Sequence, residues 1–129
     1  MHILIAEDDA PSRQILASIC QKSGEHQVAL AEDGQAAWTL LDDPKRWFDV
    51  VFLDVQMPEW GGLEVLRRLR KSPVYQSVEV VMCTASNDRA TITEAIGLGV
   101  RHYIVKPCTE AVVTEKLKQI DQKRLAEAR

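Results

Sequence analysis

Glu7, Asp8 and Asp9 follow one another directly at the end of the short apolar run HILIA, residues 2–6. Carboxylates a few ångströms apart repel by ~1 kcal/mol in water and by several times that where water is scarce, so such a cluster at a buried strand end calls for a cation. An isolated acidic turn would need none, its last acid simply capping the next helix. Further along the chain, Asp54 in FLDVQMP, Thr84 after VEVVMC and Lys106 in VKP each close another apolar run. Glu7, Asp8 and Asp54, gathered at one spot and opposed by little more than one lysine, would form an oxygen-only site for a hard cation. With no His or Cys clustered beside them, that donor set selects Mg²⁺ or Mn²⁺ over zinc.

The elements that must bring these residues together are legible from periodicity. Runs rich in Val, Ile and Leu predict strands over 2–6, 26–31, 50–53, 78–83 and 102–105. Between them, apolar residues recur at helical spacing: Ile15, Leu16 and Ile19; Ala37, Leu40 and Leu41; Leu63, Leu66 and Leu69; Ile92, Ala95 and Ile96; Val113, Leu117 and Ile120. Pro11 suits a first helical turn, Asp33 with Gly34 opens the second helix, Ser86 or Asn87 caps the fourth and Thr109 the last. Gly24, the SPVY stretch, and Gly97 with Gly99 mark helix ends. Strands alternating with helices imply right-handed crossovers, hence an α/β fold: a doubly wound five-stranded parallel sheet with five helices on its two faces. Open parallel sheets bind ligands beyond the carboxyl ends of their strands, where the strand order reverses. With order 2-1-3-4-5, Asp54 falls beside Glu7 and Asp8 on that rim, together with Thr84 and Lys106.

Composition bounds the function classes. The chain has 129 residues, 46% of them hydrophobic, the size of one domain with a real core. Its 16 Lys and Arg are scattered among 19 Asp and Glu for a net charge of -3, which argues against direct nucleic-acid binding. Cys20, Cys83 and Cys108 lack metal-ligand spacing, and an odd number argues against a secreted disulfide framework. No cationic-then-apolar leader is visible at the start, and no apolar run approaches the about 18 residues that cross a bilayer. A cytoplasmic protein with no membrane contact is expected. Residues 1–122 are read as the domain and 123–129 as a charged helical tail or the start of a linker.

The segments ILIAEDDAPSR, AEDGQAAW, FDVVFLDVQMPEWGGLEVLRRLR, VVMCTA and GVRHYIVKP, in this order and spacing, resemble the receiver domain of two-component response regulators, the CheY-like superfamily with its flavodoxin-like three-layer sandwich. The resemblance implies that Asp54 is the phosphoacceptor, taking a phosphoryl group from a histidine kinase or phosphotransfer protein in a Mg²⁺-dependent reaction for which Mn²⁺ can substitute. It makes Asp8 a direct metal ligand, Glu7 a ligand acting through a coordinated water, and the backbone carbonyl of Gln56 a further ligand. Thr84, Lys106 and the backbone N–H of Ala85 would hold the phosphoryl oxygens, the metal, lysine and oriented donors supplying most of the catalysis of in-line transfer. Pro107 would follow a cis peptide bond. Gln56 and Ser86 would flank the path of the hydrolytic water and set the phosphoryl lifetime. Tyr103 matches the switch aromatic that turns toward Thr84 after phosphorylation, reshaping the face made by the fourth helix, fifth strand and fifth helix. That face would meet an effector domain or downstream protein, and a phosphorylation-dependent homodimer is compatible with it.

Asp9 has no such role and reads as a helix cap or an outer charge. Gly62 is expected to supply a loop conformation at the start of the third helix, and Trp60, where the family commonly has a smaller apolar residue, to pack against its surroundings. Trp38 and Trp47 read as core or rim, and no histidine resembles a phosphotransferring one. Two other functions remain open. One is a pseudo-receiver that binds without being phosphorylated. The other is a Mg²⁺-dependent phosphatase of the haloacid dehalogenase type, which needs a second Asp where this chain has Gln56.

Overall fold

The Val-, Ile- and Leu-rich runs lie side by side in one sheet in the computed structural model, which describes residues 1–85 and 89–128. The element order is β1 (His2–Ala6), α1 (Ala10–Lys22), β2 (Gln27–Ala31), α2 (Gly34–Leu41), β3 (Val50–Asp54), α3 (Gly62–Lys71), β4 (Glu79–Thr84), α4 (Arg89–Gly97), β5 (His102–Val105) and α5 (Glu110–Glu127). The strands pair in parallel in the order β2-β1-β3-β4-β5, as their alternation with helices requires.

The unbroken apolar character of β1 and β3 follows from burial on both faces. Ile3, Ile5, Val50 and Phe52 pack with Leu16 and Cys20 of α1 and Val113 and Leu117 of α5. Leu4, Ala6, Val51 and Leu53 pack on the opposite side with Ala37 of α2, Leu66 and Leu69 of α3 and Ala95 of α4. Two expected boundaries shift by one residue toward the site: Asp54 and Thr84 are the last residues of β3 and β4 rather than the first beyond them. β2 begins at Gln27 instead of His26, whose ring lies 3.0 Å from the Met1 ammonium.

Local chemistry sets the helix starts. Asp9 caps α1 by accepting from the Ser12 N–H at 3.0 Å, Asp33 caps α2 through the Ala36 N–H at 2.7 Å, and Thr109 caps α5. The expected caps of α4, Ser86 and Asn87, lie outside the described residues. Gly24 lies just past α1, which stops at Lys22 with Ser23 as a right-handed cap whose N–H reaches Cys20 and Ile19. Gly62 is helical rather than a loop residue, and its lack of a side chain matters for space: a Cβ there would stand 2.4 Å from the Asp54 carbonyl oxygen. Gly99, with φ 85°, is the position after α4 that does need left-handed backbone.

Arg70, half-buried near the end of α3, donates from Nε to the Leu98 carbonyl at 2.6 Å and from Nη1 to the Val78 carbonyl at 2.9 Å. It joins α3 to the entry of β4 and the exit of α4. α5 runs unbroken to Glu127, and its Lys123 pairs with Glu79 at 3.1 Å. Trp38 packs at the edge of the core, while Trp47 stacks on Tyr75 with centroids 5.3 Å apart and half its surface exposed. No described helix is long and apolar enough to cross a membrane.

Candidate functional site

The carboxyl ends of β1 and β3 are neighbours, so the chain leaving β1 and the last residue of β3 deliver their acids to one spot. One carboxylate oxygen from each of Glu7, Asp8 and Asp54 lies within 4.8 Å of the other two. Glu7 and Asp54 are buried and Asp8 is exposed, which leaves one open side. The cluster can hold a divalent metal, since the donors are hard oxygens without nitrogen or sulfur among them. Gln56 follows Asp54 on the exposed loop, and its backbone N–H donates to Asp54 Oδ1 at 3.3 Å.

Lys106 leaves the end of β5 and reaches across β4 to both buried acids, 2.6 Å from Glu7 Oε1 and 3.2 Å from Asp54 Oδ2. Its backbone N–H donates to the Thr84 carbonyl at 2.7 Å, which fixes the two strand ends together. The Lys106–Pro107 bond is cis. Thr84 is buried at the end of β4, and Ala85 beside it is exposed. Ser86, the remaining expected contributor, lies outside the described residues. Tyr103, 44% exposed on β5, lines a narrow apolar cavity with Thr84, Ile92, Ala95 and Ile96.

The electrostatics follow from this crowding. Burial, then the hydrogen bond and charge of Glu7, push the Asp54 carboxyl from 3.8 up to about 7, against the pull of Lys106. Burial would raise Glu7 too, but hydrogen bonds from Asp54, Lys106 and the Asp9 N–H outweigh it and hold Glu7 down to about 2. Burial disfavours the Lys106 ammonium, yet Glu7 and Asp54 hold its pKa above the ordinary lysine value. Without a second cation, the crowded pair of acids therefore holds a proton to higher pH than an isolated carboxyl would.

Sequence reasoning did not foresee three features of the surroundings. Lys106 is closer to Glu7 than to Asp54. Arg13 on α1 donates from Nη1 to the Glu7 carbonyl at 2.8 Å, steadying the backbone that presents the acid. The sulfurs of Cys83 and Cys108 lie 3.9 Å apart, immediately before Thr84 and immediately after Pro107. Nothing in the spacing of the arginine or the cysteines marks them out, because each contact depends on how far a strand end or helix turn is displaced. Trp60 packs as expected: Gly34 abuts it, with room for no Cβ there, and the Arg68 guanidinium lies 3.8 Å from its ring centroid.

Comparison with known proteins gives this geometry a family. Residues 3–118 match the model of the response regulator receiver domain. A chemotaxis protein CheY homolog of Campylobacter jejuni subsp. jejuni is 34% identical over 123 residues, covering 93% of this chain and 92% of the relative. Chemotaxis protein CheY-3 of Vibrio cholerae is 37% identical over 120 residues, covering 93% and 91%. Among solved structures, the chemotaxis response regulator CheY4 of Vibrio cholerae superposes with a TM-score of 0.83 at 26% identity, covering 92% of this chain and 97% of that one. The acids closing β1 and β3, with the polar ends of β4 and β5 beside them, thus stand on a sheet of CheY-like order, and the chain belongs to the response regulator receiver domain family.

Proposed function

We propose that this receiver accepts a phosphoryl group on Asp54 from the phosphohistidine of a histidine kinase or phosphotransfer protein, in a Mg²⁺-dependent reaction, and thereby switches a partner-binding face. The observation that carries the proposal is the convergence of Glu7, Asp8, Asp54 and Lys106 at one strand edge, with Lys106 3.2 Å from the Asp54 carboxylate. Glu7, Asp8, Asp54 and the Gln56 carbonyl would hold the cation. When bound, Mg²⁺ or Mn²⁺ supplies positive charge that favours the ionised Asp54 and offsets charge on the phosphoryl oxygens.

An Asp54 oxygen forms the new bond to phosphorus as the phosphorus–nitrogen bond to the donor imidazole breaks, its electron pair leaving with the ring. Lys106, the Thr84 hydroxyl and the Ala85 N–H donate to the equatorial oxygens, where the charge is spread in transit. Water later attacks phosphorus in line and restores the carboxylate, and the resemblance gives Gln56 and Ser86 the role of tuning that step. Both side chains are neutral, so neither strongly orients nor repels that water, and an intermediate phosphoryl lifetime follows. While Asp54 carries the phosphoryl group, Tyr103 turns toward Thr84, and the surface of α4, β5 and α5 meets a downstream protein, an effector domain or a second copy. Such a module reacts on itself and turns over no free substrate.

Incubation with Mg²⁺ and acetyl phosphate or phosphoramidate tests this. One acid-labile acyl phosphate, lost in Asp54→Asn and in chelator, is expected by intact mass. No uptake would mark a pseudo-receiver, and turnover of an added phosphomonoester would mark a phosphatase.

A further inference from the structure

Cys83 and Cys108 are unaccounted for by phosphotransfer, yet they bracket its machinery. Cys83 is buried in β4 directly before Thr84, and Cys108 lies two residues past Lys106. Their sulfurs approach to 3.9 Å, and both are thiols. The sulfurs must close from 3.9 Å to the about 2.0 Å of a disulfide, and turning the two side chains together with a small shift of the turn after β5 supplies that. The two are unequal in access. Cys108 is partly exposed and lines an open pocket of about 340 Å³ with Ser12, Ile15, Leu16, Lys106 and Pro107, whereas Cys83 is closed inside the layer against α1 and α5. A partly exposed cysteine open to an oxidant, backed by a buried one whose sulfur is close to its own, is the arrangement of an attacking and a resolving cysteine.

We propose that Cys83 and Cys108 form a reversible dithiol–disulfide site that senses hydrogen peroxide and clamps the rim carrying Thr84 and Lys106. The Cys108 sulfur attacks the peroxide, a sulfur–oxygen bond forms and the oxygen–oxygen bond breaks, releasing water and leaving a sulfenic acid. The Cys83 sulfur then attacks Cys108, the sulfur–sulfur bond forms, and the sulfenic oxygen departs as a second water. The two thiol protons end in those waters; two electrons pass from sulfur to peroxide, and a dithiol reductant reverses the change. Closing the bridge draws the turn after β5 toward β4 and displaces Lys106 from the acids it now pairs with. Displacements of about 1 Å in such machinery can cost up to 10²-fold in rate, so phosphoryl uptake should slow roughly tenfold or more. This last consequence rests on the proposed phosphoacceptor role of Asp54; the disulfide itself does not.

The test treats the full chain with hydrogen peroxide, blocks residual thiols by alkylation and maps peptides without reductant. The expected result is a peptide pair bridged between Cys83 and Cys108, removed by dithiothreitol, retained in Cys20→Ala and absent in Cys108→Ser. Because Cys83→Ala alters a buried position, the mapping and the Cys108→Ser variant decide the matter without it. A bridge to Cys20, a bridge between chains, or Cys108 left alkylatable overturns the site. Bridged protein that takes phosphoryl from acetyl phosphate as fast as reduced protein overturns the clamp. Reduced protein that takes none overturns the phosphoacceptor reading and leaves the disulfide assignment standing.

Discussion

Lys106 and Glu7 form the tightest ion pair at the acidic cluster, Nζ to Oε1 at 2.6 Å, and the Glu7 side chain is almost wholly enclosed. The lysine is the internal counter-ion of the cluster before any metal arrives, bound to the acid that is not the proposed nucleophile. Removing it leaves a buried carboxylate without its charged partner, which costs more than the pair itself contributes.

Lys106→Met is therefore expected to lose roughly 1–3 kcal/mol of stability in chelator, measured by urea unfolding at neutral pH. Adding Glu7→Gln should recover part of the loss, because the carboxylate left unpaired is then gone. A single variant as stable as the parent would show that the pair contributes nothing.

Replacing the acid that is costly to ionise should act in the opposite direction. Asp54→Asn keeps a donor toward Glu7 while removing the charge that burial and Glu7 oppose. It is expected to melt several degrees higher than the parent in chelator, the shift that roughly 1 kcal/mol gives in a domain of this size. Asp8→Ala should gain less, since Asp8 is exposed and water already screens it. Added Mg²⁺ should stabilise the parent by RT ln(1 + [Mg²⁺]/Kd), about 2.7 kcal/mol at a hundredfold excess over Kd, and Asp54→Asn much less. A variant that melts markedly lower in chelator would contradict the strain.

The same carboxyls give metal-free stability a definite pH profile. Folding raises Asp54 from 3.8 to about 7, so the native state binds more protons than the unfolded chain across that window, and stability falls as pH climbs through it. Folding lowers Glu7 from 4.5 to about 2, so its contribution is present above 4.5 and is lost as pH falls toward 2. In chelator, melts between pH 5 and 7.5 should show the parent losing stability with rising pH and Asp54→Asn losing less. Equal slopes in both proteins would remove Asp54 as the cause.

Thr84 and Tyr103 share the lining of one apolar cavity behind β4. If phosphorylation draws the threonine hydroxyl toward Asp54, the tyrosine gains room to turn in, and a shift from 1:99 to 99:1 needs only ~5.5 kcal/mol of differential interaction. Thr84→Ala is expected to accept phosphoryl at Asp54 yet respond weakly at the distant face. Amide spectra with and without beryllofluoride measure this: residues 92–96 and 103–106 should move in the parent and move far less in the variant. Equal shifts in the two proteins would break the proposed coupling.

Much of this architecture was legible because it depends on local chemistry and on strand order. Alternating apolar runs and helical periods led to the five parallel strands, and the caps at Asp9, Asp33 and Thr109 act as their residue types suggest. Strand order then placed Glu7, Asp8, Asp54 and Lys106 on one rim. What escaped was contact at the scale of one side chain. Its residue type suggests a loop conformation at Gly62, but the constraint there is the Asp54 carbonyl 2.4 Å from where a Cβ would stand, a neighbour supplied by a different element. The preference of Lys106 for Glu7 and the meeting of Cys83 with Cys108 depend likewise on the path of the turn after β5, which no periodicity encodes.

Arg70 gives the α3–α4 side of the molecule an asymmetry. Its guanidinium holds the carbonyls of Leu98 and Val78, so the chain just beyond α4 is riveted to α3 and to the entry of β4. The Glu94 side chain, midway along α4, pairs with Arg67 in the open, a contact that salt weakens. The start of α4 is the end nearest Thr84 in the chain. A push arriving from Thr84 would then meet a lever with a fixed fulcrum at Leu98 and a loose latch at Glu94, and the helix would swing about its far end instead of sliding along its axis. Arg70→Ala would loosen that fulcrum and leave the core packing of Ala95 to guide the stroke.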